Sequence, residues 1–440
     1  MITSRSWRGK RYAVLGLARS GVATVDALLA SGADVVAWDA DEARREAVLD
    51  AVQDLSLKLE TVSLKLSDPA TLDLTGFAAV VVSPGVPLNR HPIAPHAAKY
   101  GVPIIGDIEL FAQARAESPS HKVVGITGTN GKSTTTTLVH HILKTAGVPT
   151  TMGGNIGLPI LAQDPLPNGG VYVLELSSFQ IDLTFHLDCN VAVLLNVTPD
   201  HLDRYASFEA YAAAKERLFA MSSGAKFRGR DERISMEDEF DIWGPFNWSD
   251  GRTPRDAIAL GTQREWPGLQ GPHNAENAMA ALNTCCALGL SEVQISRGLR
   301  TYSGLPHRME RIRDRNGVLF VNDSKATNPD SAAPALTAYP SVRWILGGQA
   351  KSPDLDACRP HFEHVRSAYT IGEAGPMFAD VLRPHMTVDE SGTLDVAVAH
   401  AARDAVAGDT VLLSPACASF DQFRDFEHRG DSFRQLVQAL

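Results

Sequence analysis

The sequence predicts an α/β protein of three successive domains, each built on a doubly wound sheet of mainly parallel strands. Three observations predict it. The chain has 440 residues, too many for one ordinary core. Short apolar runs rich in β-branched residues alternate with helical stretches along its length, as strands covered on both faces and their crossovers require. The stretch Val123–Gly147, VVGITGTNGKSTTTTLVHHILKTAG, passes from an apolar run through a glycine loop into a helix former, the layout of a phosphate-binding loop.

The elements follow in order. RYAVLG, ARSGVATVDALLASG and DVVAWDAD read as strand, helix, strand. FAAVVVSPGV is a strand closed by a tight turn, and GVPIIGDIELFAQAR adds a strand and a helix. The polar stretch Arg115–Lys122 fits a boundary. A second unit opens at KVVGITGTNGKS and continues through VYVLEL, CNVAVLLNVT and the helices FEAYAAAKERLF and NAENAMAALNTCCALG. A third begins near YSGLPHRME and repeats the alternation in VLFVNDS, VRWILGG, SAYTIG and TVLLSPA. The expected domains are 1–114, 115–304 and 305–440: Rossmann-like, P-loop ATPase-type and again Rossmann-like. The run from Ser222 to Arg255 is charged, glycine-rich and without either period, and is expected to be the least ordered part of the chain.

Composition excludes several classes. A hydrophobic share of 44% with 21% charged residues describes a soluble globular protein. The net charge of −10 argues against non-specific nucleic-acid binding. Cys189, Cys285, Cys286, Cys358 and Cys417 are odd in number and lack CxxC spacing, so neither a disulfide framework nor a zinc site is expected, and a reducing cytoplasm is. No segment approaches the ~18 apolar residues of a membrane span, and no signal peptide is read.

The chemistry concentrates where strands end. In TGTNGKS the glycines are Gly125, Gly128 and Gly131, and Ile126 stands where the usual phosphate loop has its first glycine, so this is a shortened relative. Glycine lets backbone N–H groups approach an anion, Lys132 adds a mobile cation and Ser133 a hydroxyl suited to Mg²⁺. Glu175 ends VYVLEL and His201 follows VAVLLNV, both at the sheet edge where open α/β sheets bind ligands. Together with the loop they make a Mg²⁺–ATP site; taken singly, Glu175 also reads as a helix N-cap acid and His201 as a turn histidine. GLARSG carries Gly16 and Gly21 as the outer glycines of a dinucleotide fingerprint with Ala18 between them, and Asp39 lies after the next strand, where an acid meets a ribose. That signal fits NAD or any nucleotide diphosphate, and SPGVP, Ser83–Pro87, reads equally as a plain turn or a ligand loop.

TGTNGKST, GNIG, ELSSFQ, NVTPDHLDRY, YAAAKERLF, GPHNAENAMAA, GLPHRME, NDSKATNP and LLSPACASFDQFRDFEHRG, in this order over nearly the whole chain, resemble the Mur ligases. The shortened loop is shared with folylpolyglutamate synthase. NDSKATNP and SPACASFDQF point within the Mur ligases to the branch that adds D-glutamate. The resemblance implies ATP-dependent amide formation between UDP-N-acetylmuramoyl-L-alanine and D-glutamate through an acyl phosphate. The chain is expected to be a monomer that binds neither nucleic acid nor membrane. Family members usually place a further strand with an acidic turn within Ser222–Arg255, and none is recognisable there.

By position in these motifs, the resemblance assigns Gly128, Thr129, Asn130, Gly131, Lys132, Ser133 and Thr134 to the ATP phosphates, and Asn274 and Asn277 to the adenine side. It assigns Arg308 to the phosphates from the third domain, and Asp323 and Lys325 to ribose and phosphate. Ser133 and Glu175 would bind one Mg²⁺, and His201 a second, bridged by a carbamate on Lys215. Gly16, Ala18, Asp39 and Gly85 would face the UDP part, and Asn155 the muramoyl part. Thr327, Lys351, Ser419 and Phe426 would frame D-glutamate, although Lys351 also reads as an exposed loop lysine. Lys132, His201, Lys215 and Arg308 are the expected catalytic set. Lys215 follows Tyr211 by one helical turn and shares its inward face, where an ammonium is costly unless paired or converted; the alternative is a stem that snorkels to water. Two other classes compete: an NAD dehydrogenase, which leaves TGTNGKS unexplained, and a nucleotide-binding regulator without turnover.

Overall fold

The computed structural model describes residues 1–56, 63–198, 200, 203–229, 262–350 and 353–440. It divides into two compact units, Met1–Thr253 with Met279–Gly298, and Pro254–Ala278 with Leu299–Leu440.

The first unit carries two five-stranded sheets. In the N-terminal one, β1 (Arg11–Leu15), β2 (Asp34–Trp38), β3 (Leu64–Leu66), β4 (Phe77–Val82) and β5 (Ile104–Ile105) lie in the order β3-β2-β1-β4-β5, all parallel. The strand order reverses between β1 and β4, so GLARSG and SPGVP emerge side by side at the switch point. The helices are α1 (Arg19–Ala30), α2 (Glu42–Ser56), α3 (Ile93–Lys99) and α4 (Asp107–Ala114).

The second sheet runs β10-β9-β6-β8-β7, from β6 (His121–Thr127), β7 (Thr150–Gly154), β8 (Gly170–Glu175), β9 (Cys189–Leu194) and β10 (Ser222–Arg228), again all parallel. α5 (Lys132–Thr145), α6 (Ser178–Asp182) and α7 (Phe208–Ala220) accompany it. β8 is buried at every residue, which is why its sequence runs apolar without alternation.

The structure differs from expectation at the start of Ser222–Arg255, because Ser222–Arg228 is a strand. It is an edge strand that buries only Ser222 and Phe227, so it shows no apolar run. Its register shifts between Ser222 and Ala225, and a Cβ on Gly224 would stand 1.9 Å from the Asn190 carbonyl oxygen. The glycine that reads as a loop residue is thus what lets β10 pass close to β9. Residues 230–255 lie outside the described residues.

One apolar cluster runs through both sheets of this unit, from Val14, Leu28 and Phe111 to Val123, Leu174 and Leu218. Phe111 of α4 meets Tyr172 of β8 edge-on at 5.0 Å. Glu109 of α4, 1% exposed, accepts from the backbone N–H of Phe185 and His186 at 2.7 and 3.0 Å and faces His186 Nδ1 at 2.6 Å.

The second unit holds a six-stranded sheet, β11-β12-β16-β13-β14-β15, built from β11 (Glu310–Arg315), β12 (Val318–Asn322), β13 (Val342–Gly347), β14 (Val365–Ile371), β15 (Thr387–Gly392) and β16 (Thr410–Leu413). β11 is antiparallel to β12, and the other pairs are parallel. That antiparallel edge, ERIRDR, buries no residue and leaves no hydrophobic signature. No helix among the described residues is long and apolar enough to cross a membrane.

Candidate active site

The glycine loop joins β6 to α5. Gly131 caps the helix with φ 83, and Gly128 has φ 150 with Leu195 Cβ 3.0 Å from where its own Cβ would stand. A neighbouring strand end belts the loop in place. Thr129 N–H donates to Asn196 O at 2.9 Å and Asn130 N–H to Asn196 Oδ1 at 2.8 Å, while Thr198 N–H donates to Thr129 Oγ1 at 3.0 Å. Asn196, in NVTPDH, is a positioning residue that sequence reasoning missed. α5 begins at Lys132, Ser133 and the buried Thr134, and the first turn of a helix is where N–H groups lack intrahelical acceptors and favour an anion.

Lys132 Nζ folds over this loop, donating to Gly128 O at 3.0 Å and Thr129 O at 2.8 Å. Lys215, 2% exposed on α7, donates to the same Gly128 carbonyl at 2.9 Å and sits 4.6 Å from the Tyr211 ring centre. Burial first, and then the Lys132 charge, lower the Lys215 pKa to about 7. Its stem does not carry the ammonium out to water. His201 lies outside the described residues.

Glu175 ends β8, 2% exposed. Asn155 Nδ2 donates to its Oε1 at 3.0 Å, while Oε2 is buried with no partner. An orphaned carboxylate oxygen in the same unit as Ser133 suits a divalent cation, and Mg²⁺ ordinarily takes one or two carboxylates, with phosphate oxygens and water completing its shell. Among the described residues no group of three or more His, Cys, Asp or Glu stands together as a metal site.

A cavity of about 320 Å³ brings Gly85, Lys132, Asn155 and Lys215 together, all expected site residues. Ser177, Ser178, Phe179, Arg204 and Tyr211 join its wall and were not expected there; ELSSFQ and NVTPDHLDRY held most of that signal. At the N-terminal switch point Ser83 Oγ donates to Gly16 O at 2.8 Å, and α1 starts after Ala18. Asp39, 7% exposed, accepts from Leu17 N–H at 2.7 Å and Asp41 N–H at 2.9 Å. Burial would raise its pKa, but these N–H groups and Arg44 outweigh it and hold it low. In the protein alone, then, the carboxylate shapes the glycine loop.

Of the expected residues of the second unit, Asp323, Lys325 and Thr327 follow β12 and Ser419 follows β16. Arg308 lies between two non-glycine residues in the left-handed region, His307 (φ 61) and Met309 (φ 50), a strain typical of functional turns. Asp323 accepts from Met309 N–H at 3.2 Å and Ser414 Oγ at 2.8 Å, and burial raises its pKa to about 7. Lys325 Nζ lies 3.9 Å from the Phe426 ring centre; Thr327 is half-buried, Ser419 buried, and Lys351 outside the described residues. Asn277 Nδ2 donates to Asn274 Oδ1 at 3.1 Å, beside His273, whose pKa burial and then Arg308 lower to about 4.

Sequence reasoning also missed Arg429, 1% exposed in DFEHRG. It donates to Ser324 Oγ and Ser324 O at 2.9 Å, to Cys417 O at 3.0 Å and to Ala418 O at 3.3 Å, tying together the loops that carry Lys325 and Ser419. Arg429→Met is expected to cost about 3 kcal/mol or more, since several buried carbonyls lose their donor together. Arg429→Lys recovers only part, lacking the fork. Urea midpoints for the three proteins check this, and equal midpoints would refute it.

A phosphate loop on a central parallel sheet, with an orphaned carboxylate and two lysines at one carbonyl, defines a nucleotide-using α/β enzyme. Residues 126–235 match the Mur ligase middle domain, 307–417 the Mur ligase glutamate ligase domain, and 10–106 the MurD-like N-terminal domain. The chain belongs to the Mur ligase family. The UDP-N-acetylmuramoylalanine–D-glutamate ligase of Novosphingobium aromaticivorans is 59% identical over all of this chain and 97% of its own. Those of Sphingopyxis alaskensis and Zymomonas mobilis are 56% and 54% identical over the full length of both chains. In fold, the chain is similar to MurF of Acinetobacter baumannii (TM-score 0.56, 15% identity, 99% of this chain and 92% of that one) and to the UDP-N-acetylmuramate–alanine ligase of Thermotoga maritima (TM-score 0.54, 16% identity, 98% and 99%).

Proposed function

We propose that this protein joins D-glutamate to UDP-N-acetylmuramoyl-L-alanine with cleavage of ATP, in the synthesis of peptidoglycan precursors. The observation that carries the reading is the full-length likeness, at 59% identity, to a ligase of that name. The chemistry follows from the groups present. A carboxylate acylates nothing at neutral pH, so the alanyl carboxylate first attacks the γ-phosphorus, giving an acyl phosphate and ADP. The glutamate amine then attacks the carbonyl carbon; the amide bond forms, phosphate leaves and a proton is released. Bringing two anions together needs cations placed beforehand.

Lys132, moving from its loop carbonyls, would take the β- and γ-phosphates. Ser133 and Glu175 would hold a Mg²⁺, which would supply charge neutralisation on the transferring group. Lys215, with its lowered pKa, would as a free amine add CO₂ and lose a proton to become a carbamate, an anion suited to a second Mg²⁺ for which His201 would be a further ligand. Asn155 orients Glu175 and faces the muramoyl part. Gly85 lines the cavity with open space at its Cβ, and would face the UDP part. Gly16, Ala18 and Asp39 would serve the UDP part. In the second unit Asn274, Asn277, Arg308, Asp323 and Lys325 are assigned to nucleotide, and Thr327, Lys351, Ser419 and Phe426 to the amino acid.

Phosphate release with UDP-N-acetylmuramoyl-L-alanine, ATP and a panel of amino acids tests this. D-Glutamate is expected to give the highest turnover. Faster turnover with L-lysine or diaminopimelate would overturn the acceptor.

A further inference from the structure

We propose that Arg204 is an anion-binding residue of the substrate cavity and takes an oxyanion of the UDP-linked substrate; the inference rests on the ligase reading above. Arg204 lines the same cavity as Lys132 and Lys215. Its guanidinium lies 4.2 Å from the centre of the Phe179 ring, and that ring stacks with Tyr205 at 5.9 Å and 8°. Tyr205 is itself fixed, donating its hydroxyl to Asp182 Oδ2 at 2.7 Å. The arginine is therefore positioned over the ring before any ligand arrives.

Its polar needs are far from met. A guanidinium has five N–H donors, and one bond, Nη2 to Val86 O at 2.9 Å, is formed among the described residues. No carboxylate pairs with Arg204 there, although the chain carries a net charge of −10. Two cations, Lys132 and Arg204, thus face one cavity of about 320 Å³ beside Lys215. The bond to Val86 O places Arg204 beside Gly85, at the turn from the N-terminal sheet. The UDP-linked substrate offers two oxyanions of suitable geometry, the diphosphate and the alanyl carboxylate, and a planar fork can meet either bidentately.

The test uses the full chain with Arg204→Gln, Arg204→Lys and Arg90→Ala. Arg90 Nη2 donates to Asp203 O at 3.2 Å, so its loss loosens the same loop without removing a cavity group. Arg204→Gln is expected to raise KM for UDP-N-acetylmuramoyl-L-alanine by about 10- to 100-fold while KM for ATP stays within about 2-fold. Arg204→Lys should fall between, and serves alone if the Gln variant melts early. Calorimetry with UDP, which has the diphosphate but no carboxylate, separates the sources: weaker UDP binding assigns the diphosphate, and unchanged UDP binding with raised KM assigns the carboxylate. A KM in Arg204→Gln like that of wild type overturns the proposal, as does an equal rise in Arg90→Ala, which would make the role structural. Wild type without turnover would instead sink the ligase reading, and this proposal with it.

Discussion

Lys132→Ala is expected to remove at least about a thousandfold of phosphate release while leaving the fold intact. The side chain is half-buried at the first turn of α5, and its ammonium rests on two loop carbonyls. Two such bonds are worth about 1 kcal/mol each, and water can replace part of them. Turnover loses much more. Without the ammonium, charge on the transferring phosphoryl group faces the helix end and any bound metal alone. Circular dichroism should match wild type. Loss of folded protein would show that Lys132 holds the loop up, and activity within about tenfold of wild type would show that the phosphates are held by other groups.

Lys215→Arg is expected to abolish turnover just as thoroughly, for a different reason. Arginine keeps a positive charge but forms no carbamate. In the wild type, ¹³C-bicarbonate should yield a carbamate signal that the variant lacks, and stripping CO₂ should slow the wild type until bicarbonate is restored. The pH dependence has a definite sign. The folded lysine loses its proton near pH 7, against 10.5 for a free one, so between those values the unfolded chain binds more protons. In CO₂-free buffer the stability of wild type relative to Lys215→Met should therefore rise from about pH 7 towards 10 and be flat below 7. Thermal melts across that range measure it. Near-normal activity of Lys215→Arg would refute the carbamate.

Much of the fold was legible in the sequence, for specific physical reasons. β1, β4, β6, β8 and β9 are buried on both faces, and buried parallel strands leave long apolar runs. The loop is legible because phosphate binding forces a fixed local string of residue types. β10 and β11 were illegible because edge strands bury little, and Gly224 hides a bulge as a turn. Arg204, Asn196 and Arg429 were missed for another reason. Each acts through contacts with residues far along the chain, such as Val86, Asn130 and Ser324, and no local spacing encodes those. Lys215 is the intermediate case: helical period placed it inward, but only the fold shows it sharing a carbonyl with Lys132.

The apolar cluster that runs from β1 through α4 to β8 has a consequence for modularity. Three sheets suggest three exchangeable parts, yet the first two are not separable. A fragment ending at Ala114 would carry Ile108, Leu110 and Phe111 into water, having left behind Tyr172, Leu174 and Ile181, with which they share one cluster. Glu109 would also lose the two N–H groups it accepts from and stand as a bare acid on an apolar face. The N-terminal sheet is thus a lobe of a larger body rather than a cassette. Exchanging it between related proteins would demand that both sides of this seam travel together.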